Sequence, residues 1–349
     1  MFEIDGQKIG KGFKPYIVAE LSANHGGDIK RAKSSIKAAK ESGANAVKIQ
    51  SYTPDTMTLN SNKKDFLINE GLWKGYSLYQ LYEEAYTPFE WHEELFAFAK
   101  SIGITLFSTP FDESAVDLLE SLNTPAYKIA SFEITDLPLI RYAASKKKPM
   151  FISTGMANID EIKDAINCCK EQGNNEILIF HCISKYPADI LDYQLGDINF
   201  LREKFNIEIG LSDHTVSNLA ASLATALGAS AIEKHFKLDE KDCGPDSTFS
   251  INPSQLKSLV NECKLSYEAS KTNYLKRPDA EKENRKFRRS IYFIKNLPKG
   301  HILKKTDIRR IRPGYGLHPK YFDNVIGKEL IRNVENAEPV TWQCFKEEK

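Results

Sequence analysis

The stretch Ile207-Glu208-Ile209-Gly210-Leu211-Ser212-Asp213-His214 changes at its C-terminal end from an apolar run to a hydroxyl, a carboxylate and an imidazole. A short apolar run that ends in this way predicts a buried parallel strand with polar side chains at its tip. About one helix length later, Ala231-Ile232-Glu233-Lys234-His235-Phe236 repeats the pattern, and the strand period of two places Glu233 and His235 on one face. If these strands are neighbours, His214 and His235 converge, and two imidazoles beside a carboxylate suit a divalent metal ion with open positions.

The same alternation of apolar strand and amphipathic helix extends backwards over most of the chain. Six further strands are predicted at 16–20, 44–50, 105–108, 126–130, 149–152 and 176–180. Eight strands, each followed by a helix, predict an α/β fold, the (β/α)8 TIM barrel, with polar residues at the C-terminal strand ends where barrel enzymes keep their sites. A doubly wound open sheet is the alternative, but no GxGxxG motif follows the first strand, so the barrel is favoured.

Changes in the sequence pattern along the chain predict the domain boundaries. The barrel is expected over 1–270, a polar linker over 271–285, and a small separate domain over 286–349 with short strands at 289–293 and 339–342. A long polar and aromatic insertion at 52–87 interrupts the barrel after its second strand. Such an insertion often covers a substrate, and a solvated loop or a subunit contact is the alternative.

The composition argues against several classes of function. The 48 basic and 47 acidic residues nearly balance, so nothing indicates a nucleic acid or a membrane surface as partner. No apolar run approaches a membrane span and residues 1–6 lack the layout of a signal peptide, which predicts a cytoplasmic protein. The cysteines form no CxxC pair and are predicted to be reduced thiols. They are Cys168, Cys169, Cys182, Cys243, Cys263 and Cys344.

Two lysines on separate predicted strands, Lys48 and Lys128, require an anion, because burying an unpaired ammonium costs several kcal/mol. Hydroxyl donors are expected nearby at Thr109, Ser131, Ser153 and Ser212. The predicted ligand is therefore a phosphate or carboxylate held by both lysines. A Schiff-base aldolase with one lysine as nucleophile is a second reading, and ion pairs of the lysines with Glu20 or Glu133 are a third. The candidate acid–base or hydroxyl-binding carboxylates are Glu20, Glu133 and Asp246.

Several motifs, in order along nearly the whole chain, resemble the sialic acid synthase family. The resemblance includes an antifreeze-like (SAF) domain at about 286–345, and within the family the chain is most similar to the pseudaminic acid branch. The motifs of the family are Ala19-Glu20-Leu21-Ser22-Ala23-Asn24-His25, Lys48-Ile49-Gln50, Ser108-Thr109-Pro110-Phe111, Tyr127-Lys128-Ile129-Ala130-Ser131-Phe132-Glu133, Ser153-Thr154-Gly155-Met156, Gly210-Leu211-Ser212-Asp213-His214-Thr215, Glu233-Lys234-His235-Phe236 and Gly244-Pro245-Asp246. Those typical of the branch are Leu-Ser-Ala-Asn-His after Glu20, and the stretches 50–55, 71–73 and 312–319.

The resemblance implies condensation of phosphoenolpyruvate with the open-chain aldehyde of a 2,4-diacetamido-2,4,6-trideoxyhexose, giving a nonulosonate and phosphate by C–O cleavage. Residues that would hold phosphoenolpyruvate are Lys48, Thr109, Lys128, Ser131 and Ser212, with Ser153 a further candidate. Ser184 also belongs to this group, although the neuraminate branch has Asn there. Residues that would face the sugar and the reacting centre are Glu20, Gln50, Glu133, Tyr186 and Asp246. His214 and His235 would bind Mn²⁺, Mg²⁺ or Co²⁺.

The resemblance also implies a domain-swapped homodimer, in which Arg312 of the small domain would reach the sugar in a partner's barrel. Two rival functions remain open at this stage. A sister enzyme would make N-acetylneuraminic or legionaminic acid by the same chemistry from another sugar. A non-catalytic carbohydrate-binding protein, suggested by the antifreeze-like domain, would release no phosphate and need no metal.

Overall fold

The computed structural model describes residues 1–239, 244–272 and 279–346. Its residues group into two compact units, Met1–Lys271 and Thr272–Lys349. Cys243 and part of the predicted linker lie outside the described residues, whereas the other five cysteines are free and buried, as predicted. None of the helices in the described ranges is long and apolar enough to cross a membrane.

The first unit is built around a closed barrel of eight parallel strands, which confirms the predicted TIM barrel. The strands of the first unit are β1 (Phe2–Ile4), β2 (Gln7–Ile9), β3 (Tyr16–Glu20), β4 (Ala46–Ser51), β5 (Thr105–Pro110), β6 (Tyr127–Ile129), β7 (Met150–Ser153), β8 (Ile177–Cys182), β9 (Glu208–Asp213) and β10 (Ala231–His235). Strands β3 to β10 follow one another around the barrel, and β10 pairs with β3 to close it.

Helices cover the outside of the barrel and alternate with its strands. They are α1 (Ile29–Glu41), α2 (Pro54–Met57), α3 (Leu78–Ala85), α4 (Phe89–Ile102), α5 (Glu113–Ser121), α6 (Leu137–Ser145), α7 (Ile159–Glu171), α8 (Asp197–Phe205), α9 (Leu219–Ala226) and α10 (Pro253–Ser270). Local sequence signals set several of their ends: Asn158 and Asn252 form capping boxes at the starts of α7 and α10, and Gly103 ends α4 in the left-handed conformation.

Sequence analysis did not predict the antiparallel hairpin of β1 and β2, which closes the N-terminal end of the barrel. Its side chains pack with a layer of three phenylalanines inside the barrel, which we call the phenylalanine floor: Phe107, Phe151 and Phe180. The ring centroid of Phe151 lies 5.4 Å from that of Phe107 and 5.5 Å from that of Phe180. Gly210 makes room for this layer, because a Cβ there would lie 2.8 Å from the Phe180 ring.

The second unit contains strands β11 (Ser290–Phe293) and β12 (Ile308–Ile311) and helix α11 (Phe322–Val325). The prediction of a strand at 289–293 is confirmed, but the prediction at 339–342 is wrong. Strand β11 pairs antiparallel with β12, while Pro339 forms only an isolated bridge with Tyr292. The buried core of this unit consists of Ile291, Phe293, Leu297, Leu303, Ile308, Val325, Leu330, Val334, Val340, Cys344 and Phe345.

Candidate active site

A cluster of charged side chains lies inside the barrel at the level of Lys48. The Lys48 ammonium lies 3.0 Å from Glu20 Oε2 and 3.3 Å from Glu233 Oε2, and it donates to Thr109 Oγ1 at 3.2 Å. Strand register explains the first contact, because Glu20 of β3 stands opposite Lys48 of β4. All three charged residues are at most 4% exposed, so their mutual attraction acts with little screening by water.

Lys128 of β6 belongs to the same cluster, but its contact with a carboxylate is longer than those of Lys48. Its Nζ lies 3.6 Å from Glu233 Oε1, beyond hydrogen-bonding distance, and 5.6 Å from the centre of the Phe180 ring. Ser212 donates to the same Glu233 oxygen at 3.0 Å, so Glu233 is shared by a hydroxyl and two ammonium groups. The lysines therefore pair with Glu20 and Glu233, whereas Glu133, the other partner considered from the sequence, forms no ion pair with either in the described residues.

Burial and pairing shift the pKa values in this cluster in opposite directions. Burial raises the pKa of Glu20 to about 7, although the Lys48 ammonium partly opposes it. Burial would also raise the pKa of Glu233, but Lys128 and Lys48 together outweigh it and lower that pKa to about 2. The pKa of Lys128 is lowered by burial, which its carboxylate neighbour does not fully offset. Of the two lysines, Lys128 is thus the one that would gain more from an additional anion.

Hydroxyl groups lie at three successive strand ends of the barrel that holds the lysines. Ser131 Oγ and Ser184 Oγ are 2.8 Å apart, and the buried Ser153 Oγ has no hydrogen-bond partner. Gly155, at φ +50°, lies against Ser131 and Ser184. A Cβ at this position would overlap Ser131 and come within 2.6 Å of Ser184 Oγ. Close approach of backbone and hydroxyl groups, with an unused donor, is a typical setting for an oxyanion.

The two histidines singled out from the sequence are brought together. His214 follows β9, His235 ends β10, and their ring centroids lie 5.4 Å apart. His214 Nδ1 lies 2.7 Å from the Ile183 carbonyl oxygen, so this nitrogen carries the proton and leaves Nε2 with a free lone pair. Nδ1 of His235 is buried without a hydrogen-bond partner.

These features fit a divalent metal ion better than a pair of structural histidines. Burial lowers the pKa of His214 to about 4 and that of His235 well below its usual value, so both rings are neutral as metal ligands must be. A ligating histidine usually donates its other nitrogen to a carbonyl, as His214 does. Within the described ranges, no group of three or more His, Cys, Asp or Glu is arranged to hold a metal, so further ligands would be water or substrate.

The three remaining carboxylate and amide candidates surround the histidines and lysines. Gln50 donates to Glu20 Oε1 at 3.1 Å, and Asp246 Oδ2 accepts from Ser22 and lies 3.9 Å from His235 Nδ1. Glu133 lies on the turn after β6, where burial raises its pKa to about 7 and leaves Oε2 without a hydrogen-bond partner. A carboxyl group with this pKa can accept or donate a proton near neutral pH.

Aromatic side chains line the C-terminal mouth of the barrel. The Tyr186 ring lies 4.4 Å from His214 and 5.1 Å from Phe249, measured between centroids. From the 52–87 insertion, Trp73 reaches the same place, with its ring 6.0 Å from Tyr186 and its Nε1 donating to Pro245 O at 3.2 Å. The insertion therefore folds over the site, which the sequence left undecided.

The comparison with known proteins identifies the family. Residues 35–274 match the NeuB family, and residues 288–346 match the SAF domain. The chain belongs to the NeuB family. The family predicted from the sequence motifs and the C-terminal SAF domain are both confirmed.

Relatives of this NeuB-family chain match it over nearly its full length. It is 45% identical to a pseudaminic acid synthase of Helicobacter pylori over 332 residues, which is 94% of this chain and 96% of that protein. It is 35% identical to an N,N'-diacetyllegionaminic acid synthase of Legionella pneumophila, over 96% of this chain and 95% of that protein. The crystal structure of the spore coat polysaccharide biosynthesis protein SpsE of Bacillus subtilis superposes with a TM-score of 0.68 at 32% identity, covering 100% of this chain and 99% of that one. The chain is therefore an enzyme of this family.

One predicted site residue of the NeuB-family chain belongs to the second unit. Arg312 lies in the second unit, directly after β12, and is exposed. The neighbouring side chains on β12 include Arg309 and Arg310, so this edge of the unit is strongly basic. A reach of Arg312 into a partner's barrel stays a prediction.

The roles of two residues in the NeuB-family barrel were not predicted from the sequence. Glu233 was placed on the face of His235 but was not recognised as the carboxylate shared by both lysines. Tyr193 positions His214, because its hydroxyl accepts from the His214 backbone N–H at 2.7 Å and donates to Ser212 O at 3.1 Å. No sequence pattern marks Tyr193, whereas strand alternation already indicated Glu233.

Behind the two histidines, Asp213 and Lys234 form an ion pair that is completely buried. Lys234 Nζ donates to Asp213 Oδ2 at 2.6 Å and to the carbonyl oxygens of Thr215 and Ser217 at 2.6 and 2.8 Å. Each partner of the pair adjoins one histidine in the chain. The pair therefore fixes the backbone on which both histidines are mounted.

We expect Asp213→Ala to lower the free energy of unfolding by about 3–5 kcal/mol, because it leaves the Lys234 ammonium buried without a counter-charge. Urea unfolding followed by circular dichroism measures this loss. The double variant Asp213→Asn with Lys234→Met should recover most of it, because no charge is then left unpaired. Asp192→Ala, which breaks an exposed pair with Lys185, is the control and should leave the free energy of unfolding nearly unchanged. A loss as small as the control's in Asp213→Ala would contradict this view of the pair.

Proposed function

We propose that the protein is a pseudaminic acid synthase that condenses phosphoenolpyruvate with 2,4-diacetamido-2,4,6-trideoxyaltrose and releases phosphate. The observation that carries the chemistry is the pair of buried lysines, one of them incompletely paired, next to two neutral histidines at the barrel's C-terminal end. The higher identity to a pseudaminic acid synthase, 45% against 35% for a legionaminic acid synthase, supports the choice of sugar.

Phosphoenolpyruvate carries a phosphate and a carboxylate, which match the two lysines and the hydroxyl groups around them. Lys128 has only a 3.6 Å contact to Glu233, so an incoming anion can complete its pairing without breaking a hydrogen bond. The orphaned Ser153 hydroxyl and the Ser131–Ser184 pair beside Gly155 offer donors for the remaining oxygens. Thr109 and Ser212, already bonded to Lys48 and Glu233, orient those two groups.

His214 and His235 would hold a divalent metal ion, Mn²⁺, Mg²⁺ or Co²⁺, with Asp246 the nearest carboxylate. When bound, such an ion polarises a carbonyl group as a Lewis acid. The sugar aldehyde is therefore expected next to the histidines, and its hydroxyl and amide groups next to Gln50 and Asp246. Glu133, whose pKa is raised to about 7 by burial, can supply a proton near neutral pH.

The reaction joins C3 of phosphoenolpyruvate to the aldehyde carbon, and the aldehyde oxygen takes a proton, for which Glu133 is the candidate donor. Loss of the enol's electrons to the new bond leaves positive charge at C2, which the Glu20 carboxylate stabilises. Water adds at C2 and loses one proton, which restores the Glu133 acid. The C2–O bond to phosphate then breaks, the remaining hydroxyl proton leaves with the phosphate, and C2 becomes a ketone while the lysines neutralise the phosphate's charge. One aldehyde, one phosphoenolpyruvate and one water thus give one nonulosonate and one phosphate.

Three further properties follow from the same proposal. The active enzyme is a domain-swapped homodimer in which Arg312 contacts the sugar bound to a partner subunit. The reaction takes place in the cytoplasm. The substrates are phosphoenolpyruvate and an amino sugar, with neither nucleic acid nor membrane as partner.

The proposal is tested by measuring phosphate release from phosphoenolpyruvate with three sugars, with and without EDTA. The sugars are the 6-deoxy diacetamido altrose, N-acetylmannosamine and the legionaminate precursor. We expect release only with the altrose derivative, lost in EDTA and restored by Mn²⁺. Preference for another sugar would move the enzyme to a sister branch. Absence of release with all three, from folded and metal-supplemented protein, would favour a carbohydrate-binding protein, and borohydride trapping of a lysine would favour an aldolase.

A further inference from the structure

The 52–87 insertion places one large side chain directly over the proposed site. Trp73 is half-buried, although it lies in an otherwise exposed stretch between Glu70 and Tyr76. Its indole N–H is bonded to Pro245 O at 3.2 Å, so the insertion is tied to the residue that precedes Asp246. The Asp246 loop is itself held in place, because Ser250 Oγ donates to Asp246 O at 2.6 Å and accepts from Asn24 at 2.8 Å.

Trp73 completes a continuous aromatic surface, the aromatic wall, which consists of Trp73, Tyr186 and Phe249. Adjacent ring centroids are 6.0 Å apart for Trp73 and Tyr186 and 5.1 Å apart for Tyr186 and Phe249. The wall lies against the two histidines, with Tyr186 4.4 Å from His214 and Phe249 4.8 Å from His235. Since the indole N–H is already bonded, Trp73 offers a ligand only its apolar ring surface.

The length of the sugar brings its far end to this wall. An open-chain hexose has five C–C bonds of about 1.5 Å, so C6 lies roughly 6 Å from the aldehyde carbon. With the aldehyde at the histidines, a span of this length extends past the Tyr186 ring, 4.4 Å from His214, towards Trp73, whose ring lies 6.0 Å from that of Tyr186. Glu20 and Gln50 are carried by other elements, β3 and β4, whereas Asp246 lies on the same loop after β10 as Phe249. An apolar group at C6 therefore suits the Trp73 ring, which offers a hydroxyl group no partner because its one polar atom, Nε1, is already bonded to Pro245 O.

We propose that Trp73 is a specificity-determining residue that selects a 6-deoxy sugar by packing against its C6 methyl group. The inference deepens the proposed function and rests on it. The expected selectivity is limited, because an apolar pocket rejects a substrate with one extra hydroxyl by only about 10². Trp73 supplies the outer part of the wall, so its removal exposes C6 of the sugar to water. A hydroxymethyl group at C6 is then as well solvated as it was before binding, and the selectivity is lost.

The test compares the 6-deoxy diacetamido altrose with its 6-hydroxy counterpart, which differs only at C6, by the ratio of their kcat/KM values. We expect a wild-type ratio of about 10–100 in favour of the 6-deoxy sugar and a ratio within about 3 of unity in Trp73→Ala. Trp73→Phe keeps an apolar ring and should retain most of the selectivity. Leu72→Ala, which truncates the exposed neighbour in the same insertion, is the matched control and should behave as wild type. The KM for phosphoenolpyruvate should change less than about twofold in all three variants, since Lys48 and Lys128 are untouched.

Trp73→Gln provides a second route if the alanine variant does not fold. It keeps a long side chain and adds a donor and an acceptor, so it should shift the preference towards the 6-hydroxy sugar. An unchanged ratio in Trp73→Ala or Trp73→Gln would overturn the inference and leave the proposed function standing. Wild-type turnover with neither sugar would overturn the proposed function and the inference with it, and a wild-type preference for the 6-hydroxy sugar would overturn the inference directly.

Discussion

His235→Ala is expected to lower the rate of phosphate release by at least about 100-fold, because it removes one of two imidazoles proposed to hold the metal ion. Within the described residues, His235 Nδ1 has no hydrogen-bond partner, and the ring packs 4.8 Å from Phe249 and 6.4 Å from Tyr186. The substitution therefore breaks no hydrogen bond to that nitrogen. We expect the urea midpoint to move little and the metal content of the purified protein to fall.

His25→Ala is the matched control for this experiment. His25 is also a buried histidine whose pKa is lowered to about 4 by burial, but its ring packs edge-on against Trp91 and bonds Thr87. This control should retain its metal. Normal turnover and normal metal content in His235→Ala would contradict the metal assignment, whereas loss of metal in both variants would indicate a general loss of structure.

Lys128→Met should reduce kcat/KM for phosphoenolpyruvate by about 10³, which corresponds to about 4 kcal/mol for the lost contact with a buried anion. Methionine fills much of the same space, and Glu233 keeps its contact with Lys48 and its hydrogen bond from Ser212. The fold should therefore be retained. Steady-state kinetics with phosphoenolpyruvate varied at saturating sugar measures the effect.

Lys48→Met provides an informative contrast to Lys128→Met. Lys48 is within 3.3 Å of both Glu20 and Glu233, so its loss removes the only close ammonium from Glu20 among the described residues. This variant should lose activity and also be destabilised by about 3–5 kcal/mol, because it leaves buried carboxylates uncompensated. Unchanged phosphoenolpyruvate kinetics in Lys128→Met would exclude that lysine from the binding site.

The fold and the identity of most inward-facing groups could be predicted from the sequence, because strand alternation decides which side chains enter a barrel. It placed Lys48, Lys128, His214 and His235 on the strands and strand ends that the structure brings together. Contacts between side chains on different strands could not be predicted in this way, since they depend on the register of the strands. Glu233 contacts both lysines because three strands, β4, β6 and β10, bring these residues together. No single segment of sequence contains that information.

Short or irregular elements escaped prediction for another reason. Strands β1 and β2 have three residues each, too few to show a period of two. In the second unit, the apolar stretch at 339–342 resembled a strand, but the charged segment Ile308–Ile311 pairs with β11 instead. Trp73 could be seen in the sequence as part of an insertion, but its place over the site depends on the fold of a segment without regular structure.

The phenylalanine floor, with the β1–β2 hairpin beneath it, fills the N-terminal end of the barrel interior, so a ligand approaches the lysines from the C-terminal end. Lys128 lies directly above the Phe180 ring, so the proposed anion site is next to the phenylalanine floor. The aromatic wall lies at the C-terminal rim of the barrel. A ligand bound next to the floor must enter the barrel before a ligand bound at the rim, and it must leave after it. Phosphoenolpyruvate would accordingly bind first and the sugar second, and phosphate would be the last product to depart.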